Sequence, residues 1–368
     1  MKKILILTRH AYPNYGSLLQ AHSLIVFLRN HGFNAEILDY QNQSEKSWRQ
    51  GFSSLKNSKM NRNILKKIIY ICIQVPNFFI MDKYFSKFRH QLLNLTEEYN
   101  SIEELKNANL SADIFCTGSD QVWNTINRKL DPVYFWDFLN KDTCKVISYA
   151  SSLGTSEVDI ETKNLMKEYL RGFESITVRE KSGKIILQEF GLNPKVVVDP
   201  VLLLSEEYWN NFSDETISEK NYILVYQLHD NKIFKTCLNQ IKKENPKLKI
   251  IRLSPDLKSI KYGRETRLLL NPKLFLSYIK NSEFLVTDSF HGTVFSLIFR
   301  KKFVTILPPK NDARNRDLLN IFGLQNRIID NPENTTIVND SIDFIKTSEV
   351  LSNIRNESTE ILLSLIQE

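Results

Sequence analysis

The chain has 368 residues, more than the roughly 250–300 that one hydrophobic core usually organises, which predicts two domains. With 42% hydrophobic and 25% charged residues, the composition is that of an ordinary globular protein and excludes extended disorder. The net charge of +7 is concentrated: residues 52–92 hold eight Lys and Arg against the single acid Asp82.

Residues 4–7 (Ile-Leu-Ile-Leu) are too short for the apolar stretch of about 7–15 residues in a secretory signal. They read as a buried strand, and the expected location is cytoplasmic. No run approaches the roughly 18 apolar residues of a membrane span. The four cysteines (Cys72, Cys116, Cys144, Cys237) form no CxxC pair. Buried free thiols are therefore expected, and no metal site.

A turn at residues 14–17 leads into a helix to about residue 31, with Leu18, Ala21, Ile25 and Leu28 on one face and Gly32 at the C-terminal cap. Residues 35–38 form the next strand. The stretch at about 46–110 reads as a basic helical insertion. Its mixture of Lys and Arg with Ile64, Leu65, Ile68, Phe79 and Phe85 suits a helix packed on the first domain with a solvated basic face. That packed reading is preferred, with a peripheral contact of residues 52–92 with an anionic membrane as the alternative. Nucleic acid is not expected, because no binding motif accompanies the charge.

Strands are predicted at 113–116 and 145–149, then a helix at 160–173, strand 175–178, helix 182–190 and strand 195–198. A second series follows: strands at 222–226, 249–253, 284–287 and 303–306, with helices between them. Short strands alternating with helices imply parallel, doubly wound sheets. The resulting division is 1–204, 205–340 and a closing helical tail at 341–368. Ligands of such sheets sit beyond the carboxyl ends of the strands, so the turns after strands are where chemistry is expected.

Four such turns stand out. Asn14-Tyr15-Gly16-Ser17 opens a helix whose free N–H groups could meet an anion, though a plain strand–helix junction has the same sequence. Gly118-Ser119-Asp120-Gln121-Val122-Trp123-Asn124 mixes amides, a carboxylate and an aromatic face, as sugar sites do. The alternative there is a capped helix start with Trp123 in the core. At 176–180 Arg179 emerges at a strand end. It is either a clamp for carboxylate or phosphate, or half of an ion pair with Glu180 or Asp199.

The fourth turn is Thr287-Asp288-Ser289-Phe290-His291-Gly292-Thr293. His291 begins a helix, where the dipole disfavours imidazolium and a bound phosphate would favour it. Gly292 is read as clearing space for a ligand.

These stretches together resemble the polysaccharide pyruvyl transferase family. The resemblance also rests on Ile-Ser-Tyr-Ala-Ser-Ser-Leu-Gly at 147–154, Val-Arg-Glu-Lys-Ser at 178–182, Val-Asp-Pro-Val-Leu-Leu-Leu at 198–204, and Arg316-Asp317-Leu318-Leu319 followed by Gly323, Leu324 and Arg327. It implies an α/β fold of two Rossmann-like domains facing a cleft, of the GT-B type, with the acceptor on the first. It also implies a transferase that moves the enolpyruvyl carbons of phosphoenolpyruvate onto sugar hydroxyls as a ketal in cell-surface polysaccharide synthesis, with no cofactor.

In that scheme Arg179 pairs with the donor, His291 is the general acid, and Asp120 is the base for the acceptor. Gln121, Trp123 and Asn124 face the sugar or lipid-linked oligosaccharide acceptor. Asn14, Tyr15, Gly16, Ser17, Gly118, Ser119, Ser289, Gly292 and Thr293 complete the site. Some members carry an arginine two residues before the histidine, where this chain has Ser289; Lys310, Arg314 or Arg316 could substitute. The rival readings are a glycosyltransferase using a nucleotide sugar and a non-catalytic sugar-binding protein.

Overall fold

The computed structural model describes residues 1–42, 64–126, 129–213, 215–229, 231–307, 312–331 and 341–367. Part of the expected insertion (46–63, with Lys56, Lys59 and Arg62), the side chains of Lys66 and Ile69, and Lys310 lie outside the described residues.

The first half is a parallel sheet of β1 (Lys3–Leu7), β2 (Asn34–Tyr40), β3 (Leu95–Tyr99), β4 (Ile114–Thr117) and β5 (Val146–Ser148), in the order β3-β2-β1-β4-β5. The short strands β6 (Thr177–Val178) and β7 (Lys195–Val196) pair with each other and join β5 through the Ile147–Ser175 bridge. The second sheet holds β8 (Tyr222–Tyr226), β9 (Lys249–Ser254), β10 (Thr266–Leu268), β11 (Phe284–Thr287), β12 (Lys302–Ile306) and β13 (Ile328–Ile329). Its order is β10-β9-β8-β11-β12-β13, again parallel. Both sheets therefore start at their centre, run outward, and return to the other side. This puts one switch point between β1 and β4 and another between β8 and β11.

Helix α1 (Tyr15–Asn30) starts where Asn14 Oδ1 accepts the Gly16 and Ser17 N–H groups at 2.7 and 3.2 Å. It stops at His31, with Gly32 at φ +82°, where a Cβ would be strained. A helix on an ordinary surface keeps one polar side. This one is buried from Tyr15 to Ile25 without interruption, because it lies between the two halves. Each fully buried Leu or Ile on it contributes about 1.5–3 kcal/mol.

The long helix α2 (Ile64–Leu92) carries Pro76 on an exposed turn. The expectation of one helical insertion to about 110 is corrected at its far end. Residues 95–99 are the edge strand β3, and only α3 (Ile102–Asn107) is helical beyond it. β3 reads Leu-Thr-Glu-Glu-Tyr, with Glu97 and Glu98 exposed, and a charged edge strand has no apolar run to reveal it.

Helices α4 (Ile160–Tyr169) and α5 (Lys181–Gln188) finish the first half, and α6 (Glu206–Phe212) leads into the second. The second carries α7 (Ile233–Glu244), α8 (Pro272–Lys280), α9 (Phe290–Ile298) and α10 (Ala313–Ile321). Helix α11 (Phe344–Gln367) returns to the first half: Ser358 Oγ accepts the Val198 N–H at 3.0 Å, and Lys2 Nζ donates to the Ile366 carbonyl at 2.8 Å. All four cysteines are free. Cys116 and Cys237 are buried as expected, whereas Cys72 is exposed and Cys144 half-buried.

Candidate active site

A cavity of about 250 Å³ opens where the two switch points face each other. The turn after β1 brings Asn14 and Ser17 to it, the turn after β4 Asp120 and Gln121, that after β8 His229, and that after β11 Ser289 and His291. Arg314, in the first turn of α10, closes the fifth side.

The β4 turn is held tightly. Thr8 Oγ1 donates to the Ser119 carbonyl at 2.6 Å, and a Cβ on Gly118 would sit 3.0 Å from Thr8 Cβ. Gly118 and Ser119 thus pack the turn onto β1 and stay out of the cavity, contrary to expectation. Asp120 has φ +70°, a left-handed conformation costly for a non-glycine residue. That twist turns its carboxylate inward, where Oδ2 accepts from Ser17 Oγ at 2.6 Å and Oδ1 from its neighbour's N–H at 2.8 Å. Burial raises the Asp120 pKa, but Arg179, His291 and Arg314 outweigh it, and the carboxyl is held below its ordinary range.

Trp123 and Asn124 do not reach the cavity. Trp123 is 1% exposed and stacks on Phe135 at 5.5 Å, while Asn124 Nδ2 donates to the Leu153 carbonyl at 2.7 Å. Both belong to the core, the structural alternative for this turn. Tyr15 is also core. It stacks on Phe275 at 4.2 Å and donates to the Leu270 carbonyl at 2.7 Å.

Gly16 and Gly292 have roles different from those expected. A Cβ on Gly16 would lie 2.1 Å from His291 Nδ1, so this glycine makes room for the histidine ring, not for a ligand. A Cβ on Gly292 would meet Thr287 Oγ1 at 2.6 Å, so Gly292 lets α9 close on β11. Thr293 is buried, with its hydroxyl on the Ser289 carbonyl, and does not face the cavity. Ser289 caps α9, where its Oγ accepts the Gly292 N–H at 3.2 Å.

Arg179 is corrected as well. Its side chain is 2% exposed, and Nη1 donates to Asp199 Oδ2 at 2.6 Å. It lies behind the cavity, along a second hollow of about 270 Å³ on the far side of Phe290. The ion pair with Asp199, one of its two sequence readings, is what forms. Glu180 Oε2 also lies 3.8 Å from Arg179 Nε, while its Oε1 accepts from Ser152 Oγ and from the Leu153 and Gly154 N–H groups, ordering that loop.

Asp199 faces a second side chain. His291 Nε2 is buried and points at Asp199 Oδ2 from 3.6 Å. Its Nδ1 lies against Gly16. Burial raises the Asp199 pKa, and the adjoining His291 and Arg179 overcome it, so the carboxyl lies well below its ordinary range.

Sequence reasoning named Arg314 only as a substitute, and it did not single out His229 or Asp288. The Arg314 guanidinium lies 5.6 Å from the centre of the Phe290 ring, and that of Arg179 lies 4.5 Å from it. The Gln121 amide, with its oxygen turned to Arg314, accepts from it. Burial and the repulsion of Arg179 lower Arg314 to about 10, which leaves it charged at neutral pH. Asp288 accepts the Leu228 and His229 N–H groups at 2.7 and 2.8 Å and so fixes the loop after β8. The signal for His229 was a histidine in a turn after a strand, the same signal that pointed to His291.

Among the described residues no group of three or more His, Cys, Asp or Glu could hold a metal ion, and no helix is long and apolar enough to cross a membrane. Residues 14–309 match the family model described as polysaccharide pyruvyl transferase. No curated protein matches the chain.

Solved structures of similar fold include UDP-N-acetylglucosamine 2-epimerase from Rickettsia bellii. It is 14% identical with a TM-score of 0.57, covering 100% of this chain and 96% of that one. UDP-GlcNAc 2-epimerase from Neisseria meningitidis, solved with UDP-GlcNAc bound, is 10% identical with a TM-score of 0.54 and covers both chains fully. At such identities the likeness is one of fold. It agrees with two Rossmann-like halves facing a cleft in the GT-B manner.

Proposed function

The chain belongs to the polysaccharide pyruvyl transferase family, and from that premise we propose that it transfers the pyruvyl carbons of phosphoenolpyruvate to two hydroxyls of one sugar. The product is a ketal, and inorganic phosphate leaves. The observation that carries the reading is His291, with the buried Asp199 carboxylate behind it and the cavity in front.

The atoms balance as follows. A proton from His291 adds to the methylene carbon of the donor, leaving C2 electrophilic. One sugar oxygen bonds to C2, and its proton restores the imidazolium. The second sugar oxygen then displaces phosphate from C2, and its proton leaves with the phosphate. Asp199 stabilises the imidazolium throughout. Asp120, kept ionised by its cationic neighbours, takes the proton of the second hydroxyl and passes it to the departing phosphate. Arg314 stands where an anion clamp is needed, in place of the arginine that some family members carry at the position of Ser289. The N-terminus of α9 adds unpaired N–H groups toward the phosphate. Arg179 acts through Asp199 as a positioning residue.

The test is phosphate release from phosphoenolpyruvate with a panel of sugar acceptors. Acceptor-dependent release is expected for the wild type. His291→Ala should lower it by about 10²–10⁴-fold, the usual worth of a general acid. Arg314→Ala should chiefly raise the KM for phosphoenolpyruvate. No release with any acceptor, together with tight binding of a nucleotide sugar, would overturn the reading in favour of glycosyl transfer.

A further inference from the structure

The His291 cavity opens into a second hollow of about 550 Å³, and Tyr12, Asn14, Leu228 and His229 line both. His229 therefore stands at the neck between them. It follows β8, at the switch point of the second sheet, and the proposed transfer uses it in no step.

The loop that carries His229 is held from two sides. Asp288, whose side chain is fully buried, accepts the Leu228 N–H on Oδ1 at 2.7 Å and the His229 N–H on Oδ2 at 2.8 Å. On the other side, Gln227 Nε2 donates to the His229 carbonyl at 2.7 Å, and Arg252 Nη1 donates to Gln227 Oε1 at 2.9 Å.

The ring is bonded along one edge. Nδ1 lies 3.0 Å from Asp288 Oδ2, the oxygen that also takes the His229 N–H. That oxygen accepts, so Nδ1 carries the hydrogen, and the carboxylate fixes how the ring is turned. The side chain is 47% exposed, and among the described residues nothing bonds Nε2. In the neutral ring Nε2 then keeps a lone pair with no partner.

A lone pair here tells the two substrates of the transfer apart. Phosphoenolpyruvate presents carboxylate and phosphate oxygens, which are acceptors and gain nothing from another acceptor. Those anions match Arg314 beside His291 instead. A sugar hydroxyl presents a hydrogen. The neck also supplies an apolar surface: Tyr12 and Leu228, 46 and 38% exposed, flank the same opening and suit the C–H face of a sugar ring.

We propose that His229 is a specificity residue for the acceptor: its Nε2 accepts the hydrogen of a sugar hydroxyl that stays free in the product, while the sugar ring lies against Tyr12 and Leu228. A good acceptor then needs three hydroxyls, two to be bridged by the ketal and one to be held by His229. The inference rests on the ketal-transfer reading of the cleft and names what that site selects.

The test uses the full-length protein, phosphoenolpyruvate, and the methyl glycosides of glucose, galactose and mannose with their monodeoxy forms. Phosphate release should single out one deoxy position that still turns over but has an acceptor KM about three- to tenfold higher, the worth of one hydrogen bond. His229→Ala should raise the KM of the parent glycoside by the same factor and leave that of the deoxy sugar where it was. The KM for phosphoenolpyruvate should not follow. His229→Gln, whose amide oxygen reaches the place of Nε2, should restore part of the loss.

A second measurement needs no turnover. In nuclear magnetic resonance of isotope-labelled histidine rings, His229 is the signal missing from His229→Gln. It should show its hydrogen on Nδ1, and the parent glycoside alone should move its Nε2 resonance. An acceptor KM unchanged in His229→Ala, a loss shared equally by parent and deoxy sugars, or an Nε2 resonance that no glycoside moves would overturn the proposal. Thermal melts of both variants separate misfolding from lost recognition. Phosphate release absent with every acceptor, while a glycoside still moves Nε2, would sink the transfer reading and leave this subsite standing. Acceptor-dependent release that ignores His229 would do the reverse.

Discussion

Asp199 is 1% exposed and lies between Arg179 and His291, with Arg179 Nη1 at 2.6 Å and His291 Nε2 at 3.6 Å. Its other oxygen accepts the Val201 N–H at 3.0 Å. Each partner here needs the other, because a charge buried without its counter-charge costs several kcal/mol. Asp199→Asn keeps the volume and removes the charge. It should therefore lower stability by about 3–5 kcal/mol through the stranded Arg179.

The pH dependence has a definite sign. The folded pKa of Asp199 is depressed, so its contribution is full above the unfolded carboxyl value of about 3.9 and fades as pH falls toward the lower folded value. Urea unfolding at a series of pH values checks both statements. The wild type should lose stability steeply below about pH 4, and the variant should be weaker at pH 7 with a shallower acid slope. A variant within 1 kcal/mol of wild type at pH 7 would mean that the pair contributes little net.

At the scale of elements, α1 and Trp123 divide what the sequence could and could not reveal. The start of α1 was readable because Asn14 is a capping side chain and Gly32 a C-terminal break, both local effects. Strands β8 and β11 were readable as short apolar runs between turns, since burial on both faces leaves no other pattern. The orientation of the side chains in the turns was not readable. Trp123 in a polar turn fits a sugar platform or a core plug equally well, and only the packing of Phe135 against it decides. The glycines of the two ligand-facing turns were likewise recognisable as close approaches. What approaches them, the His291 ring at Gly16 and Thr287 at Gly292, depends on contacts distant in sequence or fixed only by the fold.

As core, Trp123 carries a different expectation from a sugar platform. Trp123→Ala should cost about 3–5 kcal/mol of stability, measured by denaturant unfolding. The KM for the acceptor should remain that of the wild type in the folded fraction. A raised KM without loss of stability would return Trp123 to the site.

At the scale of the whole molecule, the two halves share one apolar cluster that runs from Ile4 and Leu18 through Trp209 and Phe275 to Phe303 and Leu362. The cleft is therefore not a gap between independent bodies joined by a linker. Tyr15 is a principal tie. It comes from α1 of the first half, stacks on Phe275 of α8 at 4.2 Å, and donates to the Leu270 carbonyl in the second half at 2.7 Å. Helix α11 adds a return strap: Arg355 Nε donates to the Leu202 carbonyl at 2.6 Å.

A large apolar interface makes the halves unfold together, whereas a small polar one lets them melt separately. The wild type is thus expected to show one calorimetric transition. Tyr15→Ala removes about 3–5 kcal/mol of packing at the junction while leaving each sheet intact, so it should lower the Tm and split the transition in two. Because Gly16 and Ser17 follow Tyr15 directly, His291 and Asp120 would also lose their common support, and turnover should fall before the first transition is reached. Two resolved transitions in the wild type, or a Tyr15→Ala profile that stays single and unshifted, would mean that the halves are coupled elsewhere.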